Sequence, residues 1–155
     1  MHVRSAAYDH GQSALIDREC RTLLESVSTY LSQSGAPPSF WGEAAAHYTH
    51  TRNNIPTHEI MREGRRMYVS AENALQNVHR PYSLKHMVAF GTQVSCFIPV
   101  KEREGRKTPG QTKTIEGVIM GYGEDMRAYR VWDLKAKKMR EISFYFSVVS
   151  EGFSL

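Results

Sequence analysis

A chain of 155 residues is the size of one domain, or at most of two small ones, and can bury a modest core. Its 20 Lys plus Arg against 16 Asp plus Glu leave a net charge of +4, which is mild beside strongly basic nucleic-acid binders and decides little by itself. No apolar run approaches the roughly 18 residues of a membrane span, the N-terminus lacks the apolar core of a signal peptide, and the two cysteines have neither disulfide-framework nor zinc spacing, so an intracellular, reducing compartment is expected.

The charge is unevenly placed: residues 1–60 hold four basic and six acidic groups, and residues 61–155 hold sixteen and ten. A polyanion is therefore expected to meet the second part, although such charges also serve simply to keep a surface soluble. Cys20 and Cys96 are expected as small core residues.

Leu15, Ile16, Cys20, Leu23, Leu24, Val27 and Leu31 recur at spacings of three and four and predict a helix with one apolar face. Ser34-Gly35 and Pro37-Pro38 stop it. A second helix is predicted near Ser39, where Trp41, Ala44, Ala45 and Tyr48 share a face expected to be buried. The basic stretch with Arg62, Gly64, Arg65 and Arg66 reads as a connection, and a short helix is expected after Ser70, a fair N-cap, ending before Pro81.

Beyond that point the texture is of strands. The runs TQVSCFIP (92–99), IEGVIMGYG (115–123), AYRVWD (128–133) and REISFYFSVV (140–149) are rich in β-branched and aromatic residues, with the turn-like LKAKK between the last two. Four or five short strands with mostly tight connections suggest a small antiparallel sheet or barrel.

The stretch SAAYDHGQSALIDRECRTLLE, through Tyr8, Gln12, Arg18, Arg21, Thr22, Leu23 and Leu24, resembles the end of the copia-type retrotransposon integrase core, PYTPQQNGVAERKNRTLLE. Trp41, Glu43, Ala44, Asn53, Pro56 and Thr57 continue the likeness. In the second half PYSLKHMVAFG, and then Gly117, Gly121, Tyr122, Tyr129, Arg130, Val131 and Asp133, resemble the same family's later segments. The resemblance implies an α+β protein: helices of a truncated ribonuclease-H-like core over residues 1–60, a connector with a short helix over 61–89, and a small antiparallel SH3-like β-barrel over 90–155.

Integrases of this type use metal ions held by three carboxylates, because both the attacking and leaving oxygens of the displacement need charge stabilisation. The resemblance places two of those carboxylates upstream of the matched stretch and the third at Asp17, one methylene shorter than the family's glutamate. No catalytic residue set, metal site or cofactor is expected. Asp17 fits better as a charge near the positive end of its helix. Glu43, His47 and His50 can share a helix face, but with no Cys beside them packed or solvated histidines are the better reading.

Two basic clusters remain as nucleic-acid-binding candidates: Lys101, Arg103, Arg106, Lys107 and Lys113 in a loop between strands, and Lys135, Lys137, Lys138 and Arg140 at a hairpin turn. If both lie at one end of the barrel they make one patch. Tyr122, Tyr129, Trp132, Phe144, Tyr145 and Phe146 can stack on bases, although core packing explains them better. The expected function is a non-catalytic integrase-derived module that binds nucleic acid or docks to protein. The alternatives are a structural subunit of a larger assembly, since a truncated core leaves apolar surface for protein partners, and a part of an active enzyme whose two other carboxylates are supplied upstream. No small-molecule substrate is inferred.

Overall fold

The computed structural model describes residues 10–62, 64–75, 86–97, 114–123, 128–143 and 146–151. Helix α1 spans His10–Ser34 and α2 spans Trp41–Asn54, joined through a 3-10 turn at Pro38–Phe40. The stop signals act as their chemistry requires. Gly35 takes the left-handed conformation at φ 70°, and the Ser34 hydroxyl donates to the Tyr30 carbonyl while accepting from the Ala36 N–H.

After α2, strands β1 (Pro56–Arg62) and β2 (Arg65–Ser70) pair as an antiparallel hairpin with Gly64 at its turn, φ 75°. The basic stretch expected as a plain connection is the tip of this hairpin. Ser70 caps the short helix α3 (Ala71–Leu75), its hydroxyl accepting from the Asn73 N–H at 3.2 Å.

Strands β3 (Thr92–Phe97), β4 (Thr114–Tyr122), β5 (Ala128–Asp133), β6 (Lys138–Ser143) and β7 (Phe146–Glu151) form one antiparallel sheet in the order β6-β5-β4-β3-β7. The protein is thus α+β, helices first and antiparallel sheets after. Among the described residues no ladder joins β6 to β7. No helix among the described residues is long and apolar enough to cross a membrane.

The helices and the sheet share a core. Val27, Ala36, Ala44 and Phe90 pack with Val118 and Met120 of β4, and Leu23, Tyr30, Leu31, Phe40 and Trp132 close around them. A second cluster joins Val94, Cys96, Ile119, Tyr129, Val131 and Ile142. Central strand β4 therefore divides alternate residues between the clusters, Val118 and Met120 in one and Ile119 in the other. A register shift between Ile119 and Gly121 inserts Met120 as an extra residue, so Tyr122 pairs with Tyr129 and packs with the second cluster.

Three expectations about burial fail. Leu15, Ile16 and Leu24 are exposed on α1, Cys20 is exposed although Cys96 is buried, and Trp41 is exposed at the start of α2. On α1 the cause is helix length. With 25 residues in α1 and 14 in α2, only part of the longer helix finds cover. The buried stripe is Val27 with Leu23, Tyr30 and Leu31, and Leu24 points off it.

Candidate nucleic-acid interface

Strand direction sets the flanks of the first basic segment at the same end of the sheet as the second basic cluster. Phe97 at the end of β3 pairs with Thr114 at the start of β4, Gly117 pairs with Asp133 at the end of β5, and Asp133 pairs with Lys138 at the start of β6. All these ends lie at one end of the sheet. Phe97 and Thr114, the residues flanking 98–113, lie at that end, as does the 134–137 turn. Lys101, Arg103, Arg106, Lys107 and Lys113 themselves lie outside the described residues.

The turn is built on Asp133. Its Oδ1 accepts from the N–H groups of Lys135 (2.9 Å) and Ala136 (2.8 Å), its carbonyl accepts from the Lys137 N–H (2.9 Å), and its Oδ2 holds the Arg140 Nε at 2.9 Å. Burial alone would raise the Asp133 pKa. The hydrogen bonds from Ala136, Arg140 and Lys135 and the Arg140 charge outweigh it and hold the carboxyl below the usual aspartate value. The turn closes with Lys137 in the left-handed region at φ 50°, an uncommon conformation for a residue other than glycine.

This arrangement separates the four candidates of the turn. Lys135, Lys137 and Lys138 are exposed, whereas Arg140 is half-buried with its Nε committed to Asp133. Beside them runs a groove of about 610 Å³ lined by Thr114, Ile115, Glu116, Asp133, Lys135 and Arg140. Its floor is mixed in charge, so the cationic surface is the exposed rim rather than the groove.

The aromatic residues do other work. Tyr129 is buried and donates to the His86 carbonyl at 2.8 Å, and Trp132 packs edge-on against Phe40 with centroids 5.2 Å apart. The Tyr122 hydroxyl accepts from the Val88 N–H at 3.0 Å and donates to the Val88 carbonyl at 3.2 Å. Phe144 and Tyr145, and the side chain of Phe146, lie outside the described residues.

Asp17 is exposed on α1, and among the described residues no three His, Cys, Asp or Glu side chains are placed to share a metal ion. The α2 histidines are packed. His47 is buried, its Nε2 lies 3.0 Å from the Val88 carbonyl, and its ring meets Tyr30 and Phe90 edge-on. His50 stacks on Tyr122 with centroids 4.0 Å apart. Burial lowers both pKa values; for His47 the Val88 hydrogen bond opposes this and His50 adds to it, and for His50 the Glu72 charge opposes it. Glu43 pairs with Arg130 of β5 at 2.9 Å, fastening α2 to the sheet.

The anchoring role of Asp133 was readable in principle, because an aspartate just before a polar turn commonly caps the N–H groups after it. The cluster of His47, His50, Tyr122 and Val88 carried no such signal, since its members are separated by up to 75 residues in sequence.

The chain is 28% identical over 151 residues, 96% of its length, to the retrovirus-related Pol polyprotein from transposon TNT 1-94 of Nicotiana tabacum. It spans 10% of that polyprotein. No family model and no solved structure matches it.

Proposed function

For a chain related over nearly its whole length to the Pol polyprotein of a copia-type retrotransposon, and so integrase-related in origin, we propose a non-catalytic role: binding the phosphate backbone of nucleic acid with the basic end of the β-sheet. The observation that supports this reading is that Phe97 and Thr114, which flank the 98–113 segment with its five candidate cations, lie at the same sheet end as the exposed Lys135, Lys137 and Lys138. Lysines on turns neutralise phosphates without reading bases, and the burial of Tyr129 and packing of Trp132 argue against base stacking.

An SH3-like barrel is the form we propose for the sheet. Its two edge strands, β6 and β7, are joined through residues 144 and 145. The three Cα steps from Ser143 to Phe146 reach at most about 11 Å. The edges of a flat sheet of five strands would lie about 19 Å apart. Rolling the sheet brings them within reach.

The test is binding of duplex and single-stranded DNA and RNA as salt is varied. Each phosphate neutralised adds about −0.9 to the slope of log K against log salt for duplex DNA. Reversing charge at Lys107, Lys113, Lys135 and Lys137 is expected to reduce the slope by about 4 and abolish micromolar binding with the fold unchanged. Absence of salt-sensitive binding by the unaltered protein would sink this reading. The assembly-subunit reading would then lead, favoured by the exposed Met61 and Tyr68 on the hairpin and Leu75 on α3.

A further inference from the structure

We propose that the β1–β2 hairpin is a base-stacking platform for single-stranded nucleic acid, in which Tyr68 takes a base on its ring and Arg66 beside it meets a phosphate of the same strand. The inference rests on the nucleic-acid reading above, but it concerns a different surface and a different chemistry.

The ribbon is anchored at its inner end. Val69 and Ser70 are buried where α3 packs against both strands, whereas Arg65, Arg66, Met67 and Tyr68 before them are exposed, so the outer part of the hairpin projects into solvent. Residues directly opposite one another in an antiparallel pair share a face, which sets Tyr68 with Glu59 and Arg66 with Met61 on one side of the ribbon. Val69, next to Tyr68, turns to the other side and is the residue that is buried. The face of Tyr68 is therefore the solvent face, and Tyr68 is 63% exposed on it.

The order of side chains on that face selects the occupant. A surface for an apolar protein partner is a contiguous patch, but here each apolar side chain stands opposite a charged one, Tyr68 opposite Glu59 and Met61 opposite Arg66. Arg66 Nε meets Glu59 Oε1 at 3.5 Å, and the arginine side chain is 76% exposed. Such an exposed pair holds the guanidinium on this face at little energetic cost to a competing phosphate. Tyr68 and Arg66 are two residues apart on one strand, about 7 Å, so a ring and a cation are presented side by side. Arg62 and Arg65, paired beside the Gly64 turn, extend the positive charge along the same ribbon.

A ring flanked by cations is the chemistry of single-strand binding, because every base has a π-face and a duplex keeps those faces stacked inside. The basic sheet end lacks this element among its described residues, since Tyr129 is buried and Trp132 packs on Phe40. The two surfaces thus divide the work: lysines at the sheet end meet phosphates of either form, and the hairpin adds a preference for unpaired strands.

The test uses the full chain and three labelled probes followed by fluorescence anisotropy: a single-stranded oligonucleotide, the same strand with its bases removed, and a duplex. Tyr68→Ala should weaken binding of the intact single strand by roughly 5- to 150-fold, the loss of one stacked base. It should leave the base-free strand and the duplex bound as before, with an unchanged Tm because the side chain is exposed. Tyr68→Phe should retain the affinity, and Tyr68→Leu, apolar but without a π-face, should not. Arg66→Ala should lower the salt slope by about 0.7 on the intact and base-free strands alike. If Tyr68→Ala binds the intact strand as the unaltered protein does, this proposal is overturned while the phosphate reading stands. Absence of any salt-sensitive binding removes both. A loss equally large on the base-free strand, or one restored by Tyr68→Leu, also overturns it, because Tyr68 then serves packing or apolar docking to a protein.

Discussion

Asp133 organises the turn that carries the exposed lysines. Asp133→Ala removes the acceptor of two backbone N–H groups and the partner of Arg140 at once, and is expected to cost about 2–4 kcal/mol. Asp133→Asn keeps a turn acceptor and should cost less; thermal unfolding of the two variants at neutral pH checks this order. The folded carboxyl has a lowered pKa, so its contribution is complete above the unfolded value near 4 and is lost as pH falls through the folded value. Lys137 gives a complementary experiment. Lys137→Gly relieves a left-handed conformation and should stabilise the protein by up to about 1 kcal/mol while removing one cation. A higher Tm together with weaker salt-dependent nucleic-acid binding would separate the charge of this residue from its structural role.

At the scale of elements, the two faces of α1 predict opposite outcomes for similar truncations. Val27 is buried in the cluster shared by helices and sheet, so Val27→Ala should cost about 1–3 kcal/mol. Leu24→Ala, on the exposed side of α1, should stay within about 0.5 kcal/mol. Chemical denaturation of the pair distinguishes this arrangement from one in which the whole apolar stripe is covered. The junction between α1 and the sheet is tighter still: Gly91 lies at φ 84°, donates to the Ile119 carbonyl, and has no room for a Cβ against the Ser34 side chain. Gly91→Ala combines a disfavoured backbone with overpacking and should cost about 2–4 kcal/mol, read as a lowered denaturation midpoint.

For the whole molecule, acid should loosen the attachment of the helices to the sheet. His47 and His50 have lowered pKa values, so folding favours their neutral forms. Their contribution is complete above the unfolded value near 6.5 and declines as pH falls toward the lower folded values. A falling Tm between about pH 7 and pH 5, made shallower in His47→Gln, is the expected result. Much of this architecture was legible in the sequence. Periodicity located both helices, β-branched and aromatic runs located β3, β4 and β5, and Ser70 marked the cap of α3. The run at 140–149 leaves four or five strands open because its apolar texture does not break at residues 144 and 145, although its halves form opposite edges of the sheet. The β1–β2 hairpin was missed because its strands lack clean alternation and expose most of their residues, so no buried face imposes a period of two.

By itself, the sequence determined the identity and approximate ends of most elements, because propensity, capping and turn chemistry act over a few neighbouring residues. The family likeness was legible for the same reason, as ordered residues along the chain. Only the tertiary structure decided which part of the α1 stripe is covered, since that depends on the lengths of two helices and where they cross. It alone gathered His47, His50, Tyr122 and Val88 and committed the Arg140 Nε to Asp133. It also set the anchors of the two basic segments at one end, because strand direction and pairing order, rather than local composition, determine which loops become neighbours.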